Sequence, residues 1–274
     1  MESAQTQPAG TATGTRPLPI SVSVITLNEE RNLPRCLESI RGLATEIAVL
    51  DSGSTDRTAE IARGFDAKFE VLPWQGHSGQ YTAAFKICSQ PWILTIDADE
   101  AVTPELAASI RTLFANGDPK ENGFWINRRT FYLGDWIWHT WQPEWRLRLV
   151  RQSCVRMHGI NPHVEPKVEG PTGRLTGDLL HYPVFHDFHD HLTKTIKYAR
   201  SMANSYAAAG RRAHWYHLVF SPAAAFFKHL ILKQGWRDGW RGWLISSAKL
   251  VNVLAKYAFL MEKQRASCQS ERRP

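Results

Sequence analysis

From residue 20 the chain alternates short apolar runs with amphipathic stretches. Ile20–Ile25 (ISVSVI) is a β-branched run of the kind a buried strand uses. It gives way to TLNEERNLPRCLESI, where Asn28 is placed to cap a helix. There Glu29 and Glu30 suit a first turn, and Leu33, Leu37 and Ile40 share one helix face. Glu46–Leu50 reads as a second strand, closed by DSGSTD at 51–56, in which Thr55 or Asp56 can cap a helix to about Arg63. Lys68–Leu72 reads as a third strand. A loop containing Gly76 and Gly79 and a helix around Tyr81–Cys88 follow. Trp92–Ile96 (WILTI) is a fourth strand that stops at DADE, 97–100. Pro104 then fits the first turn of a helix to about Leu113.

Regular exchange of strand and helix from 20 to 114 predicts an α/β fold with a largely parallel sheet and helices on both faces. Such sheets bind ligands beyond the carboxyl ends of their strands. Three polar clusters fall at those ends: Asn28–Glu30, Asp51–Asp56 and Asp97–Glu100. From 121 to 185 the pattern becomes aromatic with β-like alternation (WRLRLV) and Pro/Gly punctuation, read as hairpins and loops covering the sheet edge. From about 186 the chain reads as helical. The expected organisation is a flexible tail (1–18), the alternating half (19–120), the β/loop region (121–185) and a basic helical region (186–274).

Charge sharpens that division. The net charge is +7, but residues 186–274 hold 15 basic and 5 acidic residues, leaving the remainder slightly acidic. A basic surface confined to one third suits an anionic partner, membrane or nucleic acid. Trp236, Trp240 and Trp243 follow helical spacing beside Lys233, Arg237 and Arg241. Gly235, Gly239 and Gly242 are placed to divide that helix. Trp with Lys/Arg describes an interfacial helix pair, and the same pattern suits a pair packed on the protein's own core. No RNA-recognition, KH or helix-turn-helix signature is present, so nucleic acid is the weaker reading. No run of about 18 uninterrupted apolar residues occurs, which argues against a conventional spanning helix. The four cysteines form no CxxC pair, and their scatter fits a reducing compartment. The Thr/Gly/Pro-rich N-terminus lacks a signal-peptide pattern.

Asp97-Ala98-Asp99, where a buried strand ends, offers hard oxygen ligands for Mg²⁺ or Mn²⁺. At an isolated site, acidic residues beginning a helix would be the simpler account. Two further polar strand ends reverse that preference. In DSGSTD, Asp51 reads as a ligand contact and Asp56 as a cap.

ITLNEERNLPRCLESI, VLDSGSTDRTAEIA and WILTIDADEAVTPEL together resemble the inverting family-2 glycosyltransferases with a GT-A, Rossmann-like nucleotide-sugar fold. YLGDWIWHTWQPEWRLRLVR, NPHVEPKVEGPTGRLTGDLLHY and GWRDGWRGW narrow this resemblance. They point to the bacterial branch that adds a sugar to lipopolysaccharide inner core, the heptose β-1,4-glucosyltransferase type. The resemblance covers about 20–262. It makes 19–120 the nucleotide-sugar half, 121–185 the acceptor side and 186–274 the membrane-associated part.

The resemblance implies that Thr26, Asn28 and Glu30 line the nucleotide pocket and that Asp51 contacts the base. Asp97 would hold ribose or metal, and Asp99 the metal on the diphosphate of a UDP-linked donor. The implied acceptor is a lipid-borne glycan, at the inner face of the cytoplasmic membrane. Two departures stand out. Tyr81 occupies the place of a phosphate-contacting lysine, leaving Arg128, Arg129, Arg148 or Lys86 as substitutes. Val164, not glutamate, follows His163, and Glu165 lies one residue further on, which in an extended segment reverses side-chain direction. An inverting transfer needs a general base. Glu144 and Glu165 are the first candidates, with Asp135 and Asp178 behind them, and His163 or His181 can add a metal or phosphate contact. HDFHDH at 186–191 reads as a solvated helix start rather than a zinc site. Transfer to polyprenyl phosphate or another envelope glycan, and a nucleotide-sugar-binding membrane scaffold without turnover, remain alternatives.

Overall fold

The computed structural model describes residues 16–160, 163–182 and 185–270. In chain order its elements are β1 (Leu18–Thr26), α1 (Leu33–Ser39), β2 (Ala44–Asp51), α2 (Thr58–Gly64), β3 (Lys68–Val71), α3 (Gly76–Lys86), β4 (Trp92–Asp97), β5 (Glu100–Val102) and α4 (Pro104–Phe114). There follow β6 (Gly123–Tyr132), β7 (Asp135–Trp136), β8 (Trp145–Arg151), β9 (Val155–Ile160), β10 (His163–Val168), β11 (Thr172–His181), α5 (Phe188–Ala208), α6 (Trp215–Phe227) and α7 (Gly239–Ser270). A π turn occupies Lys228–Leu232 and a 3-10 turn Gly235–Asp238. Most of the expected tail lies outside the described residues, and β1 begins at Leu18.

The chain divides into two compact units. The first comprises its residues to Ala98 with Ala107–Phe124 and Leu147–Arg174; the second comprises Asp99–Leu106, Trp125–Arg146 and the chain from Leu175. In the first unit β1 lies between β2 and β4, parallel to both, and β3 lies parallel beyond β2. Ile20, Val22 and Val24 are fully buried, and so are Ser21 and Ser23 on the opposite alternation, as expected of a strand covered on both faces. Trp92 closes the far end of this core. It is fully buried, edge-on to Phe114, and its indole N–H donates to Asp118 at 2.8 Å.

Local details depart from the sequence reading. Asn28 does not cap α1: it takes a left-handed backbone (φ 56°), and Asn32 begins the helix without a side-chain cap. Neither Thr55 nor Asp56 is the N-cap of α2, which is Arg57 without a side-chain cap; Asp56 accepts from Thr58 N at 3.0 Å just ahead of it. The glycine loop is helical, because α3 starts at Gly76 and admits Gly79 against Gln75. Around 145–151 the chain does not cover the sheet edge but extends it: β8 pairs antiparallel with β4, Leu94 opposite Leu149. The alternation in WRLRLV is therefore that of a paired strand.

In the second unit β11 pairs antiparallel with β5, and α7 packs on α5 and α6. One core joins Tyr132, Ile137 and Ile245, flanked by Trp141 and Phe185; another joins Ala203, Ala213 and Leu260. Among the described residues, the segment Gly235–Ala266 is the one helix that meets the length and hydropathy of a membrane span, so the sequence argument against any such helix is corrected. It also carries a buried Asn252 and Lys256 and contributes Ile245 and Leu260 to the second unit's cores. The expected glycine break falls at the 3-10 turn. Asp238 there accepts the backbone N–H groups of Trp138, His139 and Thr140 at 3.0, 3.1 and 2.7 Å.

Close approach of that turn to α7 depends on Gly242, where a Cβ would lie 1.7 Å from the Gly235 carbonyl oxygen. Gly242→Ala is expected to cost about 3 kcal/mol in denaturant unfolding through overpacking. Gly64→Ala, whose Cβ meets nothing within 4 Å, should leave stability within about 1 kcal/mol.

Candidate functional site

The register of the first unit brings two of the acidic strand ends to one edge. Thr26 pairs with Asp51 on one side of β1, and Ile25 with Asp97 on the other. Asp51 is 2% exposed, and its carboxylate is saturated within the chain. Oδ1 accepts from Thr26 Oγ1 (2.9 Å) and Ser54 Oγ (2.5 Å), while Oδ2 accepts from the N–H groups of Gly53 (2.8 Å) and Ser54 (2.7 Å). Four donors fill the four lone-pair directions of a carboxylate. Gly53 supplies the positive φ (104°) that lets the loop fold back on it.

The loop thus held is stitched to the one after β1. Asn28 N donates to Ser54 Oγ at 2.7 Å, and Asn28 Oδ1 accepts from Thr55 N at 2.9 Å. Glu30 N donates to Asp56 at 3.1 Å, and the Glu30 carboxylate accepts from Arg57 N at 3.2 Å. Thr26, Asn28, Glu30 and Asp51 therefore form one hydrogen-bonded framework.

Asp97 differs from Asp51 in being one-third exposed. Oδ1 accepts from the Tyr81 hydroxyl at 2.9 Å and Oδ2 from Arg148 Nη2 at 2.8 Å. Of the four basic residues offered in place of the missing lysine, Arg148 reaches this edge, and Tyr81 itself contacts the carboxylate. Sequence reasoning weighed Tyr81 only as a loss. Glu165 lies on the exposed side of the β9–β10 hairpin, opposite His158. The side chains of His163 and Val164 lie outside the described residues.

The second unit begins at Asp99, whose Oδ2 lies 3.3 Å from His181 Nε2; Thr130 Oγ1 lies 3.4 Å from the other ring nitrogen. Glu100, fully buried, faces Arg128 at 3.6 Å. Arg128 also grips Glu144 through two nitrogens (3.1 and 2.7 Å), and Arg146 adds a third contact at 2.7 Å. Asp178 is ion-paired with Arg129 and accepts from Asn127, and Asp135 meets Arg241 at 3.5 Å. A cavity of about 410 Å³ opens among Arg128, Thr130, Glu144, His181, His229 and Lys233, with Trp141 and Phe185 as aromatic walls. Glu100 and Arg128 as a buried pair were not foreseen, since DADE marked Glu100 only as part of an acidic run.

HDFHDH is partly what was expected. Asp187 caps α5 by accepting from Asp190 N at 2.7 Å. His191, however, is buried, not solvated: it bonds the Tyr132 hydroxyl at 2.7 Å, and burial pushes its pKa down to about 4. Among the described residues no three His, Cys, Asp or Glu side chains cluster to hold a metal unaided. Large apolar side chains are exposed along 215–243, including Trp215, Phe220, Leu232, Trp236, Trp240 and Trp243.

Polar residues at the carboxyl ends of parallel strands stand where open α/β proteins bind their ligands. Residues 21–163 match the model of glycosyl transferase family 2. The chain belongs to that family and is a glycosyltransferase with a GT-A-like α/β fold. It is 34% identical over 258 residues to the lipopolysaccharide core biosynthesis glycosyltransferase LpsC of Rhizobium meliloti (strain 1021), covering 89% of this chain and 90% of LpsC. An uncharacterized glycosyltransferase of Rickettsia bellii (strain RML369-C) is 44% identical over 97 residues, 35% of this chain and 33% of that one. Among solved structures, glucosyl-3-phosphoglycerate synthase from Mycobacterium tuberculosis, crystallised with Mn²⁺ and UDP, aligns at a TM-score of 0.33 and 26% identity. That alignment covers 42% of this chain and 44% of the other.

Burial raises the Glu144 carboxyl, but the hydrogen bonds and charges of Arg128 and Arg146 outweigh it, so its pKa lies below the ordinary 4.5. A carboxyl that titrates lower when folded contributes stability above its unfolded pKa and loses it as pH falls through the folded value. Unfolding free energy is therefore expected to decline on acidification below about pH 4.5. Glu144→Gln should flatten that acid limb and lower stability at pH 7 by about 1–3 kcal/mol.

Proposed function

We propose that the chain is a divalent-cation-dependent inverting glycosyltransferase. In this reading it moves a hexose from a UDP-linked sugar to a lipid-borne glycan, lipopolysaccharide inner core being the preferred acceptor. The observation that carries the reading is the pair of carboxylates at the ends of β2 and β4. Asp51 is spent on building the loop framework, and Asp97 remains accessible beside Arg148 and Tyr81. Likeness to LpsC along nearly the whole chain supports the acceptor class.

The framework of Thr26, Asn28, Glu30 and Asp51 shapes the nucleotide pocket, with Asp97 toward the ribose or cation. Asp99 and His181 fit a hard cation. Nε2 and a carboxylate oxygen face each other at 3.3 Å, and Thr130 sits on the far ring nitrogen, as a group orienting a ligand histidine does. A bound Mg²⁺ or Mn²⁺ supplies positive charge against the diphosphate that departs. The acceptor hydroxyl displaces UDP at the anomeric carbon and gives its proton to a carboxylate. Glu144 is weakened for that task by two guanidiniums and is better suited to holding Arg128. Glu165, exposed on the hairpin, takes the proton. The exposed tryptophans among Lys233, Arg237 and Arg241 support peripheral attachment to the anionic inner face of the cytoplasmic membrane.

UDP release from a panel of UDP-sugars, with and without Mn²⁺ and a lipopolysaccharide-core acceptor, tests the reading. Activity should require both additions, and Asp99→Ala should lower it about 100-fold or more. Turnover with polyprenyl phosphate instead would move the acceptor assignment. Binding of UDP-sugars without turnover on any acceptor would favour a scaffold. Separately, the full chain should bind phosphatidylglycerol-containing vesicles, and the triple change of Trp236, Trp240 and Trp243 to Ser should weaken that binding about tenfold or more. Unchanged binding would remove the membrane assignment.

A further inference from the structure

A second cavity of the second unit, about 430 Å³, lies among α5, α7 and the π turn. It shares Trp141, Phe185 and His229 with the 410 Å³ cavity. None of its lining side chains is acidic, whereas Lys194, Lys249 and His229 all face it. Lys194 is neutralised by Asp190 at 2.8 Å. Lys249 is half-buried on α7, and the charges acting on it are those of other lysines, Lys256 and Lys228; burial first, and then these, lower its pKa. His229 is in the same position. Its Nδ1 is enclosed without a hydrogen-bond partner among the described residues, and burial, followed by Lys249, Lys228 and Lys233, pushes its pKa down to about 4.

A half-buried ammonium and an unpartnered imidazole nitrogen facing one partly enclosed space, with no carboxylate among the described residues that line it, are costly unless an anion joins them. Nearby Lys256, 8% exposed, shows the alternative solution, since it lies over the rings of Tyr206 and Tyr257 at 4.8 and 4.4 Å. Among the described residues, no aromatic ring lies under Lys249 in this way. A carboxylate would bring one negative charge to this group, whereas a phosphate monoester brings nearly two and enough acceptor oxygens for an ammonium and an imidazole N–H together. The volume exceeds that of a phosphate, leaving Trp141 and Phe185 to pack on whatever bears it.

We propose that this cavity is a binding site for a phosphate monoester, held chiefly by Lys249 and His229. None of the residues that line it is assigned above to the nucleotide, the cation or the base, and the proposal stands independently of the proposed sugar transfer. A phosphorylated saccharide and a lipid headgroup offer the same chemistry.

The test is thermal unfolding of the full chain titrated with inorganic phosphate, against sodium chloride at equal ionic strength. A parallel series uses phosphatidylcholine vesicles with phosphatidic acid, a monoester, or with phosphatidylglycerol, a diester. Wild type and Lys197→Met, an exposed lysine of α5 outside the cavity, should be stabilised by phosphate or by phosphatidic acid in preference to phosphatidylglycerol. In Lys249→Met and in His229→Gln the half-saturating concentration should rise about tenfold or more, with Lys249→Arg retaining most of the response. A response to phosphate assigns a soluble or saccharide-borne ester, and a response to phosphatidic acid vesicles alone assigns a lipid headgroup. No response in wild type, or an equal response in Lys249→Met and His229→Gln, overturns the proposal. Should Lys249→Met not fold, the comparison of Lys249→Arg with His229→Gln decides it on the same terms. Failure of UDP-sugar turnover would leave these results untouched.

Discussion

The carboxylate of Asp51 is the constraint on which the first unit's polar edge depends. Parallel strands end abruptly, and the loops beyond them have no ladder to hold their backbone. Here one buried anion supplies four acceptor positions, two of them to successive N–H groups of its own loop. The loop so formed then supplies the hydroxyl and N–H groups that hold Asn28 and Glu30. Order passes from a single strand-end residue to two loops through these hydrogen bonds. A neutral amide in its place would offer fewer acceptor positions and no charge.

Arginine plays the complementary part wherever the acidic residues approach one another. Arg148 answers Asp97 in the first unit, while Arg128 and Arg129 answer Glu100, Glu144 and Asp178 in the second. Planar guanidiniums satisfy several oxygens at once and keep their charge when buried. Arg128 thus places a guanidinium 3.6 Å from the fully buried Glu100. Among the candidates for a base, Glu144, Asp178 and Asp135 are each ion-paired with an arginine.

How much of this was legible in the sequence follows from the range of the interactions involved. Runs such as ISVSVI and WILTI encode their own burial, so β1 and β4 and their polar ends could be read directly. Asn28 could not, because its left-handed backbone is fixed by Ser54 and Thr55, 26 and 27 residues away. Arg148 was one of four equal candidates until β8 paired with β4, a non-local antiparallel contact with no local signal. His191 looked solvated because its neighbours are polar. Its actual surroundings come from Tyr132, 59 residues distant. The family's motif, being contiguous, was readable; the partners that tune each motif residue were not.

Asp238 links two regions that differ in chemistry. It sits between Trp236 and Trp240, among the most outward-facing aromatic residues, yet its carboxylate anchors the backbone of 138–140, where the wall of the 410 Å³ cavity begins with Thr140 and Trp141. The turn and the wall are therefore one mechanical body. A displacement of the turn that carries Trp236 would therefore be passed, through three N–H groups and a hydroxyl, to the lining of the cavity.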